Sequence, residues 1–248
     1  MRQRKAKDLD KRLEACGGWL VREPGSGAWD ECFPDRRAAA DGAAGFDGAS
    51  AADRRPLYAE IGCGKGDFLI AKALQDPAGD YLGIEGQETV LLRAMEKAIR
   101  MAGVRSGGTV PDAAAAHSGP APLDNLRFAC CFVNDMTALF TDGSLSGIYL
   151  NFSDPWPKAR HYKRRLTWRG RLQEYAGALK PGGFLECKTD NDDLFTFTLE
   201  EIAACGWTPE IVEWDLHSTD LPAAQVCTEY EKKFRAAGKM IHYVRIAF

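Results

Sequence analysis

Alternation of strand and helix patterns most constrains this chain. The runs "PLYAEIG", "YLGIE", "NLRFACCFV", "SGIYLNF" and "GFLECKTD" have the apolar, β-branched and aromatic content of strands. Between them lie "DFLIAKALQ" and "TVLLRAMEKAIRMA", where helical spacing puts Val90, Leu91, Ala94, Met95 and Ala98 on one face. A third helix is predicted over "RRLTWRGRLQEYAGAL", stopped by Lys180, Pro181, Gly182 and Gly183, and a fourth over "DLFTFTLEEIAACG". Strands that alternate with helices imply a mostly parallel sheet with helices on both faces. The last third adds the strands "EIVEWDL" and "MIHYVRIAF" without a convincing helix between them, which predicts an antiparallel terminal pair. The expected fold class is therefore α/β, with seven strands, mostly parallel, and an antiparallel terminal strand. Ligands of such sheets bind outside the carboxyl ends of the strands.

Two stretches interrupt this order. Residues 36–55, rich in Ala, Gly and Asp, read as a flexible linker, and the segment from Gly103 to Asp124 reads as a loop insertion. The organisation expected is a basic arm and linker over 1–55 and one domain over 56–248, a division that a chain of 248 residues accommodates. The basic start "MRQRKAK" fits RNA contact and plain solubility equally well. It has no apolar core of a secretion signal, and no stretch reaches the length of a membrane span, so a soluble cytoplasmic protein without a membrane partner is expected. Eight cysteines without a C-x-x-C pair and four scattered histidines suggest neither a disulfide framework nor a metal site. A net charge of −3 excludes a uniformly basic coat, so any nucleic-acid surface must be local.

"EIGCGKGDF" follows the first strand and opens the first helix. Gly62, Gly64 and Gly66 let a ligand lie against the main chain, although a glycine-rich turn can also serve tight packing alone. A dinucleotide site asks for G-x-G-x-x-G, but Asp67 stands at the sixth position, where a pyrophosphate would meet an anion. Glu85 ends the second strand, where a carboxylate can accept both hydroxyls of a ribose. Glu60, Glu85, Asp135 with its neighbour Asn134, and Asp154 put an acid at or near the carboxyl edge of four successive strands. One such acid is usually a cap or a solvated loop residue. Four together suit a cofactor with a ribose, an adenine amine, an α-ammonium and no phosphate, which describes S-adenosylmethionine.

"EIGCGKGDF", "GIE", "YLNFSDPWPKARHYKRRL", "LKPGGFLECKTDN" and "TEYEKKF" together resemble the bacterial tRNA (guanine-N7)-methyltransferase family, from about Tyr58 to Phe234. The resemblance implies a Rossmann-like class I methyltransferase fold, S-adenosylmethionine as cofactor, tRNA as partner, no metal, and the variable-loop guanine as target. By position it gives Glu60, Gly62, Gly64, Glu85, Asn134, Asp135 and Asp154 to the cofactor, with Asp154 also catalytic. Lys158, Asp190, Thr228, Glu229, Tyr230 and Glu231 fall to the substrate, and Arg160, His161, Tyr162, Lys163, Arg164 and Arg165 to RNA. A monomer or homodimer is expected.

Elementary chemistry agrees with that assignment. N7 of guanine carries an in-plane lone pair and no proton, so methyl transfer needs positioning more than a base, and Asp154 reads as an orienter. Pro155 and Pro157 pre-organise the turn at low entropic cost. Trp156 can stack on a base or fill the core edge. The cations from Lys158 to Arg165 start at that turn and enclose His161 and Tyr162, which favours phosphate binding over a merely solvated face. A carboxylate at Asp190 can accept from guanine N1 and N2. "TEYE" also reads as a helix start, Thr228 capping and Glu231 at the third helical position. Two other readings stay open: an amino-directed nucleic-acid methyltransferase, because "NFSDPW" is similar to the N/D-P-P-Y turn, and a non-catalytic RNA-binding protein of the same fold.

Overall fold

The computed structural model describes residues 6–25, 29–33, 55–103 and 123–248. The expected linker and insertion, and the first five residues of the basic arm, lie wholly or almost wholly outside the described residues. In chain order the elements are α1 (Leu9–Ala15), β1 (Leu20–Val21), α2 (Trp29–Cys32), β2 (Leu57–Ile61), α3 (Asp67–Gln75), β3 (Asp80–Glu85), α4 (Glu88–Met101), β4 (Leu126–Cys130), β5 (Leu145–Asn151), α5 (Arg169–Ala178), β6 (Leu179–Thr189), α6 (Asp192–Ala204), β7 (Ile211–Glu213), α7 (Glu229–Ala236) and β8 (His242–Ala247). The α/β class and the mostly parallel strands are as expected. The described residues hold eight strands, one more than the sequence predicts. They fall into two compact units, Met1–Leu57 with Cys63–Val133 and Tyr58–Gly62 with Asn134–Phe248.

In the first unit β1, β4 and β3 run parallel, and Phe128 of β4 is registered with Leu20 on one side and Gly83 on the other. A side chain at Gly83 could not coexist with this packing, since its Cβ would come within 2.7 Å of the Phe128 ring and 2.9 Å of Cys63 Sγ. Tyr81, Leu82 and Ile84 are fully buried, as befits a parallel strand covered on both sides. Helix α4 buries the predicted face, Val90, Leu91, Ala94, Met95 and Ala98, together with Leu92. Helix α1 docks on α4 through Arg12, whose guanidinium donates to both carboxylate oxygens of Glu96 at 2.9 and 2.8 Å. The extra strand, β1, escapes a sequence reading because two residues carry no alternation. Burial of Leu9, Cys16, Trp19 and Val21 and the Phe128 N–H bond to the Trp19 carbonyl (2.8 Å) hold it in place.

In the second unit the order is β2, β5, β6, β8, β7, with β2, β5 and β6 parallel and β8 antiparallel to both its neighbours, the terminal pair the sequence predicts. Every residue of β5 is buried. Helix α5 begins only at Arg169, because Ala159–Arg164 forms a 3-10 helix and Arg165 and Trp168 are extended (ψ 133° and 139°). Glu201 of α6 then supplies what Trp168 cannot, accepting from the Arg169 N–H at 2.7 Å and from its guanidinium at 2.9 and 2.8 Å. The helix ends at Ala178 and Leu179 is already extended (ψ 136°), so the stop precedes the glycines. Gly182 (φ +78°) instead turns the early part of β6, its N–H donating to the Phe248 carbonyl at 2.6 Å.

Between β7 and β8, where the sequence offers no convincing helix beyond the "TEYE" start, α7 forms from that start, with Thr228 and Glu231 in the capping positions read for them. Its caps explain it. The Thr228 hydroxyl accepts from the Glu231 N–H at 2.9 Å, and Glu231 Oε2 accepts from the Thr228 N–H at 3.3 Å.

Candidate functional site

In the first unit the glycine loop from Cys63 onward lies against Glu85. Gly64 (φ +55°) and Gly66 (φ +74°) have left-handed backbone, and the Cys63 N–H donates to the Ile84 carbonyl at 3.0 Å, which ties the loop to the end of β3. A Cβ at Gly64 would meet nothing within 4 Å, so the main chain there borders open space. At Gly66 it would approach Ala94 to 3.0 Å, so that glycine serves close packing of α3 instead. Half-buried Glu85 accepts from the Gly64 N–H (3.2 Å, Oε2) and the Gln87 N–H (2.9 Å, Oε1), so both oxygens are oriented before any ligand arrives. Asp67, the residue that argues against a pyrophosphate, is paired with Lys97.

In the second unit Glu60 is buried in β2, and the Asn151 amide donates to its Oε1 at 2.8 Å. Gly62 (φ +78°) is exposed with open space beside it. Asn134 and Asp135 are exposed in the segment after β4. Asp135 accepts from the Thr137 hydroxyl (2.7 Å) and N–H (2.8 Å), and these bonds hold its carboxyl below the usual carboxylate range.

The turn after β5 has an unusual backbone. Phe152 (φ +53°) and Trp156 (φ +43°) occupy the left-handed region that bulky side chains avoid, on either side of the exposed Asp154. What over-determines them is visible. The Phe152 N–H donates to the Lys188 carbonyl at 2.8 Å, prolines fix Pro155 and Pro157, and Arg165 donates to the Pro155 carbonyl at 2.9 Å and the Trp156 carbonyl at 3.4 Å. Lys158, Arg160, Tyr162, Lys163 and Arg164 are exposed on or beside the 3-10 segment, which buries no residue. His161 is half-buried, edge-on to Trp156 at 5.7 Å, and the Arg164 guanidinium lies 5.0 Å from the Trp156 ring centre. Arg165, expected at RNA, differs from its neighbours in its contacts. It points inward, lies over Phe197 at 4.3 Å, and holds the turn.

Next to this turn stands the end of α7. Tyr230 packs on Phe152 (5.1 Å between ring centres) and Phe234 (4.3 Å) while remaining half exposed. Burial, and then the negative charges of Asp190 and Asp154, push its phenol above the ordinary range, so it stays a neutral donor. Asp190, after β6, accepts from Lys239 at 2.7 Å. Thr228 and Glu231, expected at the substrate, are both buried and paired within the fold. Thr228 is the cap, and Glu231 is completely buried, within 2.7 Å of His217 Nε2 and 3.5 Å of the buried Lys188 ammonium. Glu229 opens the helix; its side chain lies outside the described residues.

His217, Cys227 and Glu231 also bring potential metal-ligating atoms within 4.8 Å of one another, a cluster their spacing in the sequence does not announce. The Lys188 ammonium, with its pKa lowered by burial, and the cap bond already use Glu231, so the group is accounted for without an ion. Sequence reasoning missed Asn151, Phe152, Arg165 as a turn-holder, and Lys239. Only the first two had a signal, their place between a buried strand and the Asp-Pro turn.

A family model described as putative methyltransferase matches residues 54–244. A tRNA (guanine-N(7)-)-methyltransferase of Lachnoclostridium phytofermentans is 40% identical over 190 residues, covering 77% of this chain and 79% of that protein. Its namesake in Mesoplasma florum is 42% identical over 192 residues, 76% and 79% of the two chains. Among solved structures, an antibiotic-related methyltransferase shares the fold with TM-score 0.54 at 17% identity, over 80% of this chain and 89% of that one. The 16S rRNA methyltransferase KamB gives 0.54 at 10% identity, over 80% and 90%.

Proposed function

The chain belongs to the tRNA (guanine-N7-)-methyltransferase family, and we propose a division of labour among its residues for that reaction. The enzyme transfers a methyl group from S-adenosylmethionine to N7 of a guanine in tRNA. The fit of this chain to the cofactor rests on two observations, the open main chain at Gly62 and Gly64 and the pre-oriented carboxylate of Glu85. When bound, S-adenosylmethionine supplies an electrophilic methyl on a sulfonium. Glu85 would hold the ribose hydroxyls, and Gly62, Gly64, Glu60, Asn134, Asp135 and Asp154 the remainder.

N7 needs no deprotonation, so no residue has a proton to take; S-adenosylmethionine would supply the methyl and keep the C–S electron pair, leaving the positive charge on the guanine ring. Positioning is then the main task of the chain. Asp154 orients the reacting groups and faces the developing charge. Tyr230 offers a ring and a neutral hydroxyl, Asp190 an acceptor for the base, and Lys158 a contact at the turn. Lys158, Arg160, His161, Tyr162, Lys163 and Arg164 form the RNA-facing segment, with Arg165 assigned to the turn. Thr228 and Glu231 act through the helix that presents Tyr230. The observation that carries this reading is the strained turn at Phe152 and Trp156, which holds Asp154 exposed.

The finer assignments are proposals of the same kind. The target is the variable-loop guanine, and the protein acts in the cytoplasm as a monomer or homodimer. Among the described residues no helix is long and apolar enough to cross a membrane. The catalytic domain runs over 56–248, with the insertion at about 103–124; the family match over 54–244 supports that boundary.

The test is transfer of a labelled methyl from S-adenosylmethionine to unmodified tRNA, followed by nucleoside digestion and mass identification. 7-Methylguanosine is expected with the wild type, and Asp154→Ala should lower the rate by roughly a hundredfold or more, the scale of a misplaced reacting group. Methylated adenine would point to the amino-directed alternative. An undiminished rate in Asp154→Ala would remove that residue from the mechanism.

A further inference from the structure

The C-terminal end of α7 fixes the direction of one more charged side chain. Gly238 takes φ +74°, and the Lys239 N–H returns to the Phe234 carbonyl at 3.0 Å, so the helix closes in a Schellman turn. Lys239 is thereby anchored at its backbone, with its ammonium 4.7 Å from the Phe234 ring centre and 2.7 Å from Asp190 Oδ2. The Lys239 side chain is 50% exposed and that of Asp190 13%. With its ammonium side half exposed the pair contributes modestly to stability. It nevertheless stands near enough to Tyr230 for both charges to act on the phenol, and the Tyr230 ring packs on Phe152. With half of its side chain exposed Lys239 is open to a ligand, and it also lines an open hollow of about 440 Å³ with His217 and Arg235.

We propose that Lys239 is a specificity-determining residue that donates to O6 of the target guanine while Asp190 accepts from N1–H and N2–H. This rests on the reading of Asp190 given above. From O6 through N1 to N2 guanine presents an acceptor and then two donors, and an ammonium beside a carboxylate is the complement of that order. Adenine offers an amine in place of O6 and a bare N1. It sets donor against ammonium and acceptor against carboxylate, so both contacts fail and repulsion adds to the loss. The two groups differ during the reaction. As positive charge enters the ring the carboxylate contact strengthens, whereas the ammonium gains nothing, so Lys239 acts on binding more than on turnover.

The experiment pairs enzyme variants with single-atom changes at the target base. On guanine-containing tRNA, Lys239→Met should lower kcat/KM roughly tenfold to a hundredfold, the range for a hydrogen bond to a charged group, chiefly through KM. With 6-thioguanine at that position the base keeps N1–H and N2–H but has a poor acceptor at position 6, and the penalty of Lys239→Met should nearly vanish. Lys239→Arg keeps a donor and should retain most of the preference for guanine. Circular dichroism melts of Lys239→Met and wild type should coincide. An equal penalty on both bases overturns the O6 contact. Asp190→Asn, compared on guanine and on hypoxanthine, which lacks the N2 amine, tests the reading beneath: a penalty indifferent to that amine overturns Asp190 as base reader, whatever Lys239 does.

Discussion

At Glu85 the main chain does the aiming. A free carboxylate must be ordered by its ligand, but here the N–H groups of Gly64 and Gln87 have already turned each oxygen, so the entropic cost is met by folding. Glu85→Ala should therefore weaken S-adenosylmethionine binding by roughly 1.5 to 3 kcal/mol, as measured by titration calorimetry. Unchanged affinity would take the ribose away from Glu85. The place of this carboxylate is legible in the sequence, because it ends a strand after the glycine loop and is one of four acids at successive strand ends. That of Arg165 is not. In a row of cations nothing local marks which one turns inward, and only the carbonyls of Pro155 and Trp156 and the Phe197 ring, set by the fold, select it.

Among elements, the contrast between α4 and α7 shows where sequence patterns stop. Helix α4 announces itself because its stability comes from an apolar face, and the face that was read is the face that is buried. Helix α7 offers only Tyr230 and Phe234 on such a face, and its start is read from the cap at Thr228. It is held at Thr228 and by the buried meeting of Glu231 with Lys188 and His217, contacts made by residues distant along the chain. Breaking a buried charge pair by removing one partner costs about 3 to 5 kcal/mol. Glu231→Ala should lose stability on that scale in denaturant unfolding, and S-adenosylmethionine should raise its melting temperature as it does in the wild type. A variant that melts with the wild type but binds tRNA poorly would return Glu231 to the substrate.

For the molecule as a whole, a net charge of −3 makes the exposed cations of the 3-10 segment a local attraction against a weakly repelling background. Replacing Lys163 and Arg164 together by Ala should weaken tRNA binding and flatten its dependence on salt, leaving cofactor affinity in place. Arg165→Ala should leave the salt slope nearly intact and slow turnover instead, which separates holding the turn from holding the RNA. An equal flattening by both variants would make Arg165 a phosphate contact after all. The overall α/β order could be read from alternation alone, whereas β1 could not, since two residues gain their identity only from the strand they join. The left-handed backbone at Phe152 has a further consequence for anyone redesigning this enzyme. Each such residue stores about 1 to 3 kcal/mol, yet glycine there would also give up the packing of the ring on Leu216, Ile241 and Tyr243, a loss of at least the same size. That choice would erase the ring on which Tyr230 leans. Strain and packing pull this single position in opposite directions, and relaxing it should give neither a hardier protein nor a better catalyst.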